Sequence, residues 1–327
     1  MPTALITGIT GQDGSYLAEY LLERGYEVYG LVRGQANPRE AAVKAMLGDK
    51  YTLHGDLLDQ SSLLAALGRS QPDEVYNLGA VTYVPISWEQ SELTGEVTGL
   101  GVLRILEAVR LFNGITASRT AGRGQVKLYQ ASSSEMFGKV RESPQNELTP
   151  FHPRSPYGAA KAYGHYLVQN YRESYGMFAV SGILFNHESP RRPPEFVVRK
   201  VTKGAATIKQ RKATELHMGN LSARRDWGYA RDYVTAMHLM MQNAEATDYV
   251  VGTGITYSVE EMVETVFSMA GLEWRDYVVT DAAFIRPAEV DYLCADPSKI
   301  MRELDWKPET DFRSLVSLML EADLEAT

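Results

Sequence analysis

Cysteine is almost absent from this 327-residue chain: Cys294 stands alone. One thiol closes no intrachain disulfide and builds no thiolate-rich metal site, so a reducing compartment, the cytoplasm, is expected. Long apolar runs are missing too, and none approaches the ~20 residues of a membrane span. The opening MPTALITGITGQDG holds only a short apolar run ended by glycines, unlike a secretory leader. Positive charge is not in excess: 33 basic and 41 acidic residues leave a net charge of −8. That balance argues against nucleic-acid or membrane-surface binding, while a local basic pocket for a phosphate stays open. No metal-ligand cluster, internal repeat or low-complexity tract stands out.

What is present is ordinary globular material, 44% hydrophobic and 23% charged. Strand and helix signals alternate through the first half. Ala4–Thr7 reads as a strand, Tyr16–Arg24 as a helix closed by Gly25, and Glu27–Val32 as the next strand. Asp59 caps a helix to about Arg69, Glu74–Gly79 is a strand, and a helix over about Glu92–Leu111 leads to the strand Val126–Ser132. This is the pattern of an α/β, doubly wound parallel (Rossmann) sheet. Phe112–Gln125, rich in Gly, Ser, Thr and Arg, reads as a solvated loop. Residues 1–185 are assigned to the dinucleotide-binding domain with the catalytic residues. Residues 186–327 mainly form a smaller C-terminal substrate lobe, some segments returning to the first domain.

Gly8-Ile9-Thr10-Gly11-Gln12-Asp13-Gly14 follows the first strand and opens a helix. Glycines let a pyrophosphate approach the backbone, and the helix start offers unpaired N–H groups. A glycine-rich connector has the same look; the strand–turn–helix setting favours the cofactor turn. At the end of the second strand stands Arg33, where an acid would hold the ribose of NAD. A guanidinium suits a 2′-phosphate, so NADP is expected, against an ordinary surface arginine. Asp56 either meets the adenine or caps a turn.

Ser155-Pro156 is a good helix start, and Tyr157 and Lys161 then share one face at i and i+4. The ammonium and the helix dipole should favour phenolate, giving an acid/base for a sugar hydroxyl. A hydroxyl residue at the end of the preceding strand, within Ser132-Ser133-Ser134-Glu135, could bond the same oxygen. Glu135 is either a base for a carbon-bound proton or the cap of a turn.

With ALITGITGQDGSYLAEYLL, QASSSEMFGKV, PRSPYGAAKAYG, ILFNHESPRR, GNLSARRDWGYARDYV, RPAEVD and LDWKP, essentially the whole chain resembles the GDP-mannose 4,6-dehydratase family of extended short-chain dehydrogenases/reductases. The resemblance implies intramolecular redox dehydration of GDP-mannose to GDP-4-keto-6-deoxy-mannose, with NADP held tightly, and a homodimer or homotetramer. It makes Ser133 the catalytic hydroxyl, Glu135 the acid/base for the C5 proton, and Tyr157 and Lys161 the superfamily pair. Cofactor contacts would be Gly8, Gly11, Gln12, Asp13, Arg33, Asp56, Leu57, Leu78, Gly79, Ala80, Thr82, Lys161, His187 and Arg192. Asn186, Arg192, Lys200, Asn220, Arg225, Arg286 and Glu289 would surround the nucleotide-sugar. Without the resemblance, His187 reads as a satisfied buried histidine. The alternatives are a dehydratase or 4-epimerase for another nucleotide-sugar, for which an epimerase would not require Glu135, and a non-catalytic NADP-binding scaffold. Departures fall at Val81–Pro85, near Leu93, and at Gly34–Arg39, where the family often has a second arginine and serines.

Overall fold

A computed structural model describes residues 1–34, 37–119, 124–284, 288 and 290–326. The strands are β1 (Thr3–Thr7), β2 (Glu27–Val32), β3 (Thr52–His54), β4 (Glu74–Asn77), β5 (Lys127–Ser133), β6 (Ala179–Leu184), β7 (Asn186–Glu188), β8 (Leu216–Met218), β9 (Arg224–Tyr229), β10 (Tyr249–Val251), β11 (Thr256–Ser258) and β12 (Val278–Thr280). The helices are α1 (Gln12–Glu23), α2 (Glu40–Leu47), α3 (Gln60–Ser70), α4 (Ile86–Glu89), α5 (Ser91–Thr94), α6 (Gly101–Arg119), α7 (Pro156–Tyr175), α8 (Val197–Lys209), α9 (Ala230–Gln242), α10 (Val259–Ala270), α11 (Ser298–Leu304) and α12 (Phe312–Ala326).

Seven strands form one parallel sheet in the order β10-β6-β5-β4-β1-β2-β3. Every residue of TALIT in β1 is buried, as expected of a strand covered on both faces. One face packs Ala4, Ile6, Tyr76 and Tyr129 against α1 and α9; the other packs Leu5, Val75 and Leu128 against α3, α6 and α7. The order reverses between β1 and β4, so a crevice opens beyond their carboxyl ends, where open α/β sheets bind ligands.

After β6 the chain builds a second core from α8, α10 and α12, in which Trp227, Phe267, Leu315 and Met319 are buried. A three-stranded sheet, β11-β9-β7, joins this lobe to the crevice. The chain crosses back in between: α9 packs on α1, β10 extends the large sheet, and Trp306 Nε1 donates to the Asp232 carbonyl at 3.0 Å.

One sequence expectation holds with a local change and one is overturned. The helix expected over about Glu92–Leu111 is present and continuous, running from α5 through a wide π-type segment at Gly95–Leu100 into α6, with the short α4 ahead of it. The expected loop from Phe112 is helical through Arg119. Its polar residues serve the helix instead of ending it: Thr116 Oγ1 donates back to the Phe112 carbonyl at 2.9 Å, and Asn113 Oδ1 accepts from Val126 N at 3.0 Å. The part of that loop at 120–123 lies outside the described residues. The helix α2 has no side-chain N-cap and was not expected, although Gly48 closes it with its N–H on the Lys44 carbonyl. Among the described residues, no helix is long and apolar enough to cross a membrane, and no cluster of potential metal ligands occurs.

Candidate active site

The turn after β1 is shaped by what its glycines leave out. Gly8 has φ +69°, and a Cβ there would lie 2.8 Å from Gly79 N. A Cβ on Gly14 would lie 2.4 Å from the Gly8 carbonyl oxygen. The turn therefore closes tightly on itself and on the loop after β4. Gly11 starts α1 with no side-chain cap, so the positive end of the helix is left for an anion. Thr7 Oγ1 donates to Asn77 Oδ1 at 2.6 Å and accepts from Gly79 N at 3.1 Å, while Asn77 Nδ2 donates to Gln130 Oε1 at 2.7 Å. This polar ladder locks the ends of β1 and β4 to the middle of β5. Sequence reading passed it over, although polar residues at the ends of β1 and β4 and inside β5 are a visible signal.

Asp13 and His187 join that turn to β7. His187 Nε2 lies 2.9 Å from Asp13 Oδ2, and Nδ1 lies 2.7 Å from the Phe185 carbonyl. Because the carbonyl only accepts, Nδ1 carries a proton; facing a carboxylate, Nε2 carries one too. The pair is thus imidazolium and carboxylate. Burial pushes the imidazole pKa down, but the Asp13 charge and hydrogen bond outweigh it and hold the value above the usual histidine range. For Asp13, burial acts upward and is likewise outweighed, chiefly by His187, leaving the carboxyl below its usual range. Gln12 Nε2 donates to Asp13 Oδ1 and to the His187 carbonyl, both at 3.1 Å, and Ser189 Oγ donates to Gln12 Oε1 at 2.7 Å.

The catalytic candidates meet at the carboxyl end of β5. Ser155 Oγ accepts from Gly158 N at 3.0 Å and starts α7, which projects Tyr157 and Lys161 inward. Ser133 bonds the Tyr157 hydroxyl, and its Oγ accepts from Glu135 N at 3.2 Å. Ser133, Glu135, Tyr157 and Lys161 are all buried and all line one cavity of about 820 Å³. The expected phenolate is not what these residues produce by themselves. Lys161 turns its Nζ to the Ala131 carbonyl at 2.7 Å, 5.7 Å from the centre of the Tyr157 ring. Burial pushes the phenol up to about 12, against the pull of the Ser133 hydrogen bond, and Glu135 adds to the rise. Burial also brings Lys161 down to about 8. Desolvation outweighs the pairing assumed from the i, i+4 spacing.

The same cavity is lined by Asp13, Leu78, Thr82, Asn186, His187, Arg192, Lys200, Asn220 and Arg225. Arg192 lies between Glu188, with Nε 3.3 Å from Oε2, and the Phe196 ring, with Cζ 3.6 Å from its centre. Burial lowers the Lys200 pKa, and its Nζ sits 3.8 Å from the centre of Phe284. Asn220 Oδ1 accepts from Ser222 N at 2.9 Å and Ser222 Oγ at 2.7 Å, which fixes its loop. Sequence reading missed Tyr83, Trp88, Phe196 and Phe284 among the lining groups. Aromatics scattered over three stretches of chain leave no spacing pattern to find them by.

Gly8, Gly11, Gln12, Arg33, Asp56, Leu57, Gly79 and Ala80 are not part of this cavity's lining. Gly8, Gly11 and Gln12 belong to the turn, and Arg33 is exposed just beyond β2. Asp56 does cap a turn, Oδ1 accepting from Leu58 N at 3.0 Å. Arg39, not among the expected contacts, donates to the Thr10 carbonyl at 3.2 Å inside the glycine turn. Arg286 and Glu289 lie outside the described residues.

These residues fit a dinucleotide. The glycine cradle has no room for a Cβ, and the helix start beside it is uncapped. In the cavity wall, Asn186 Oδ1 is buried without a hydrogen-bond partner. Such orphaned groups are costly unless a ligand completes them.

Comparison with known proteins gives a family and a fold. The model of the family described as GDP-mannose 4,6 dehydratase matches residues 5–319. GDP-mannose 4,6 dehydratase 2 of Arabidopsis thaliana is 50% identical, covering 98% of this chain and 87% of its own. The Homo sapiens GDP-mannose 4,6 dehydratase is 46% identical over 98% of this chain and 91% of its own. Among solved structures, the UDP-glucose 4-epimerase of Thermus thermophilus in complex with NAD superposes with a TM-score of 0.84 at 27% identity, covering 99% of this chain and 100% of that one. RMD from Pseudomonas aeruginosa, complexed with NADPH, gives a TM-score of 0.81 at 24% identity, covering 100% of both chains.

Proposed function

The chain belongs to the GDP-mannose 4,6-dehydratase family, and from that premise we propose that its cavity converts GDP-mannose to GDP-4-keto-6-deoxy-mannose with NADP held throughout. The observation that carries this reading is the convergence of Ser133, Glu135 and Tyr157 in one cavity whose walls include Arg192, Lys200 and Arg225. The cations suit a nucleoside diphosphate. Glu135 is the residue a plain alcohol oxidation would not need.

A bound nicotinamide supplies the acceptor that takes hydride from C4 and the donor that returns it to C6. The chain's own groups handle protons. Two leave the sugar, from the C4 hydroxyl and from C5; two are needed, by the departing C6 oxygen and by C5 at the end. Tyr157 takes the first as C4 becomes a ketone, with Ser133 bonding the same oxygen. The ketone acidifies the C5 proton, which Glu135 removes and passes to the C6 oxygen, so that water leaves. The proton on Tyr157 then returns to C5 by way of Glu135. Ser133 Oγ faces the Tyr157 hydroxyl and accepts from the backbone N of Glu135. Lys161 holds its ammonium on Ala131 and near the Tyr157 ring, where positive charge eases loss of the phenol proton.

NADP is favoured over NAD by the two guanidiniums on the ribose side: Arg33 just beyond β2, and Arg39 at the Thr10 carbonyl. A homodimer or homotetramer fits the exposed Leu111, Ile115, Tyr163 and Tyr166 on the packed helices α6 and α7. The buried lone Cys294 fits a cytoplasmic location.

The test is incubation with GDP-mannose without added cofactor, followed by mass spectrometry beside Glu135→Gln. Loss of one water by the wild type, reduced about 10²–10⁴-fold in the variant, is expected for a lost acid/base. An unchanged mass, even with NADP supplied, overturns the substrate assignment.

A further inference from the structure

Four polar side chains follow one another along α7 at intervals of four residues: Tyr157, Lys161, His165 and Gln169. The first two belong to the mechanism above. The last two continue the column away from the cavity and end on Asp248, ahead of β10. His165 is 2% exposed. Its Nδ1 lies 3.1 Å from Ser132 Oγ, and its Nε2 lies 3.2 Å from Gln169 Nε2.

The hydrogens in this column are fixed from its far end. Asp248 is a carboxylate held by Arg172, whose Nη1 and Nη2 donate to Oδ1 at 2.9 Å and Oδ2 at 2.8 Å. Ser181 N also donates to Oδ1, at 2.9 Å. The Gln169 group 3.1 Å from Oδ2 must therefore be the amide nitrogen, because an oxygen there would face a carboxylate. One of its hydrogens goes to Asp248 and the other to His165 Nε2. Nε2 then accepts, so the imidazole is neutral and carries its proton on Nδ1. That proton goes to Ser132 Oγ. The groups facing His165 are Asp248 and Arg172, with the Phe151 and Tyr166 rings beside it. Burial, with Arg172, lowers the imidazole pKa against the pull of Asp248, in keeping with the neutral form.

Ser132 lines the catalytic cavity, next to Ser133. With its oxygen accepting from His165, the hydroxyl keeps one proton to give. We propose that His165 is a positioning residue that holds Ser132 as a hydrogen-bond donor toward an oxygen of the bound ligand at the reacting end of the cavity. The inference rests on the dehydratase reading for the identity of that ligand. Two sources offer such an oxygen, the hexose and the carboxamide of the nicotinamide.

The test compares His165→Leu, His165→Asn and Ser132→Ala in the holoenzyme. An asparagine nitrogen can stand where Nδ1 stands and donate to Ser132; leucine cannot. With saturating GDP-mannose, kcat is expected to fall about tenfold in His165→Leu and Ser132→Ala and to stay within about threefold of wild type in His165→Asn. The double variant Ser132→Ala/His165→Leu should be no worse than Ser132→Ala alone, since both act through one donor. A parallel weakening of NADPH binding assigns the oxygen to the carboxamide; unchanged binding assigns it to the sugar. Independently of turnover, ¹⁵N NMR of labelled histidine should find His165 neutral and protonated on Nδ1. An Nε2-protonated ring, an asparagine variant as poor as the leucine one, a fully active Ser132→Ala, or multiplying losses in the double variant overturns the proposal. A wild type inert on GDP-mannose with the NMR result intact would count against the dehydratase reading alone.

Discussion

Removing one partner of the Asp13–His187 pair should cost far more than neutralising the pair. In His187→Leu the Asp13 carboxylate stays in place, its side chain only 22% exposed, with Gln12 as the remaining donor. Breaking a buried pair on one side costs about 3–5 kcal/mol. Partial exposure of Asp13 brings this to about 2–3 kcal/mol. In Asp13→Asn, by contrast, the amide can donate to a neutral His187 Nε2 while Nδ1–H keeps the Phe185 carbonyl, so roughly 1 kcal/mol is lost. Urea unfolding of nucleotide-free protein reads the difference. With an m-value of about 3 kcal/mol/M, His187→Leu should move the midpoint down by about 1 M and Asp13→Asn by about a third of that. The pH dependence carries the sign. The His187 pKa is raised, so its contribution is full below about 6.5 and is lost as pH rises through the folded value. The Asp13 pKa is lowered, so its contribution is full above the ordinary carboxyl value of 3.8 and is lost as pH falls through its folded value. In Asp13→Asn burial and the Arg192 charge push the imidazole down against the Phe185 carbonyl alone; the alkaline loss should vanish and stability should fall instead below about pH 6.5. Equal losses in the two variants, or a wild-type curve without the alkaline decline, refutes the ion pair.

Two further outcomes follow from the fold and the cofactor side. Arg33→Ala should weaken NADPH by about tenfold or more and leave NADH within about twofold, measured by fluorescence titration; equal losses for both would remove the 2′-phosphate from its role. Gly182→Ala would put a Cβ 2.3 Å from Tyr129 Oη in the middle of the sheet, and about 1–3 kcal/mol of stability should be lost in urea unfolding. Wild-type stability there would mean that the tyrosine ring moves aside freely.

The alternation of strands and helices was legible because β1, β2, β4 and β5 are apolar runs punctuated by capping residues, and the Ser155-Pro156 start of α7 was readable for the same reason. Helical segments poor in such signals were not. Gly114 and Thr116 look like loop residues until the hydrogen bonds to Phe112 and the rest of α6 are in view. The candidate catalytic residues lie in short motifs and could be singled out as candidates, but their electrostatics could not. The i, i+4 spacing of Tyr157 and Lys161 carries no information on burial, and burial is what raises one and lowers the other. Nor could sequence show that His165 joins Ser132 to Asp248, since the partners come from three separate elements.

The central claim is that one sugar is oxidised and reduced in place. GDP-mannose bearing deuterium at C4, mixed with unlabelled substrate made heavier by ¹³C, tests it by mass spectrometry and NMR of the product. The deuterium should appear at C6 of the same molecules that lost it from C4, with a solvent-derived hydrogen at C5 when the reaction runs in heavy water. Deuterium washed out to solvent, or found at C6 of the ¹³C molecules, would mean that hydride leaves the site and that the internal redox cycle is wrong.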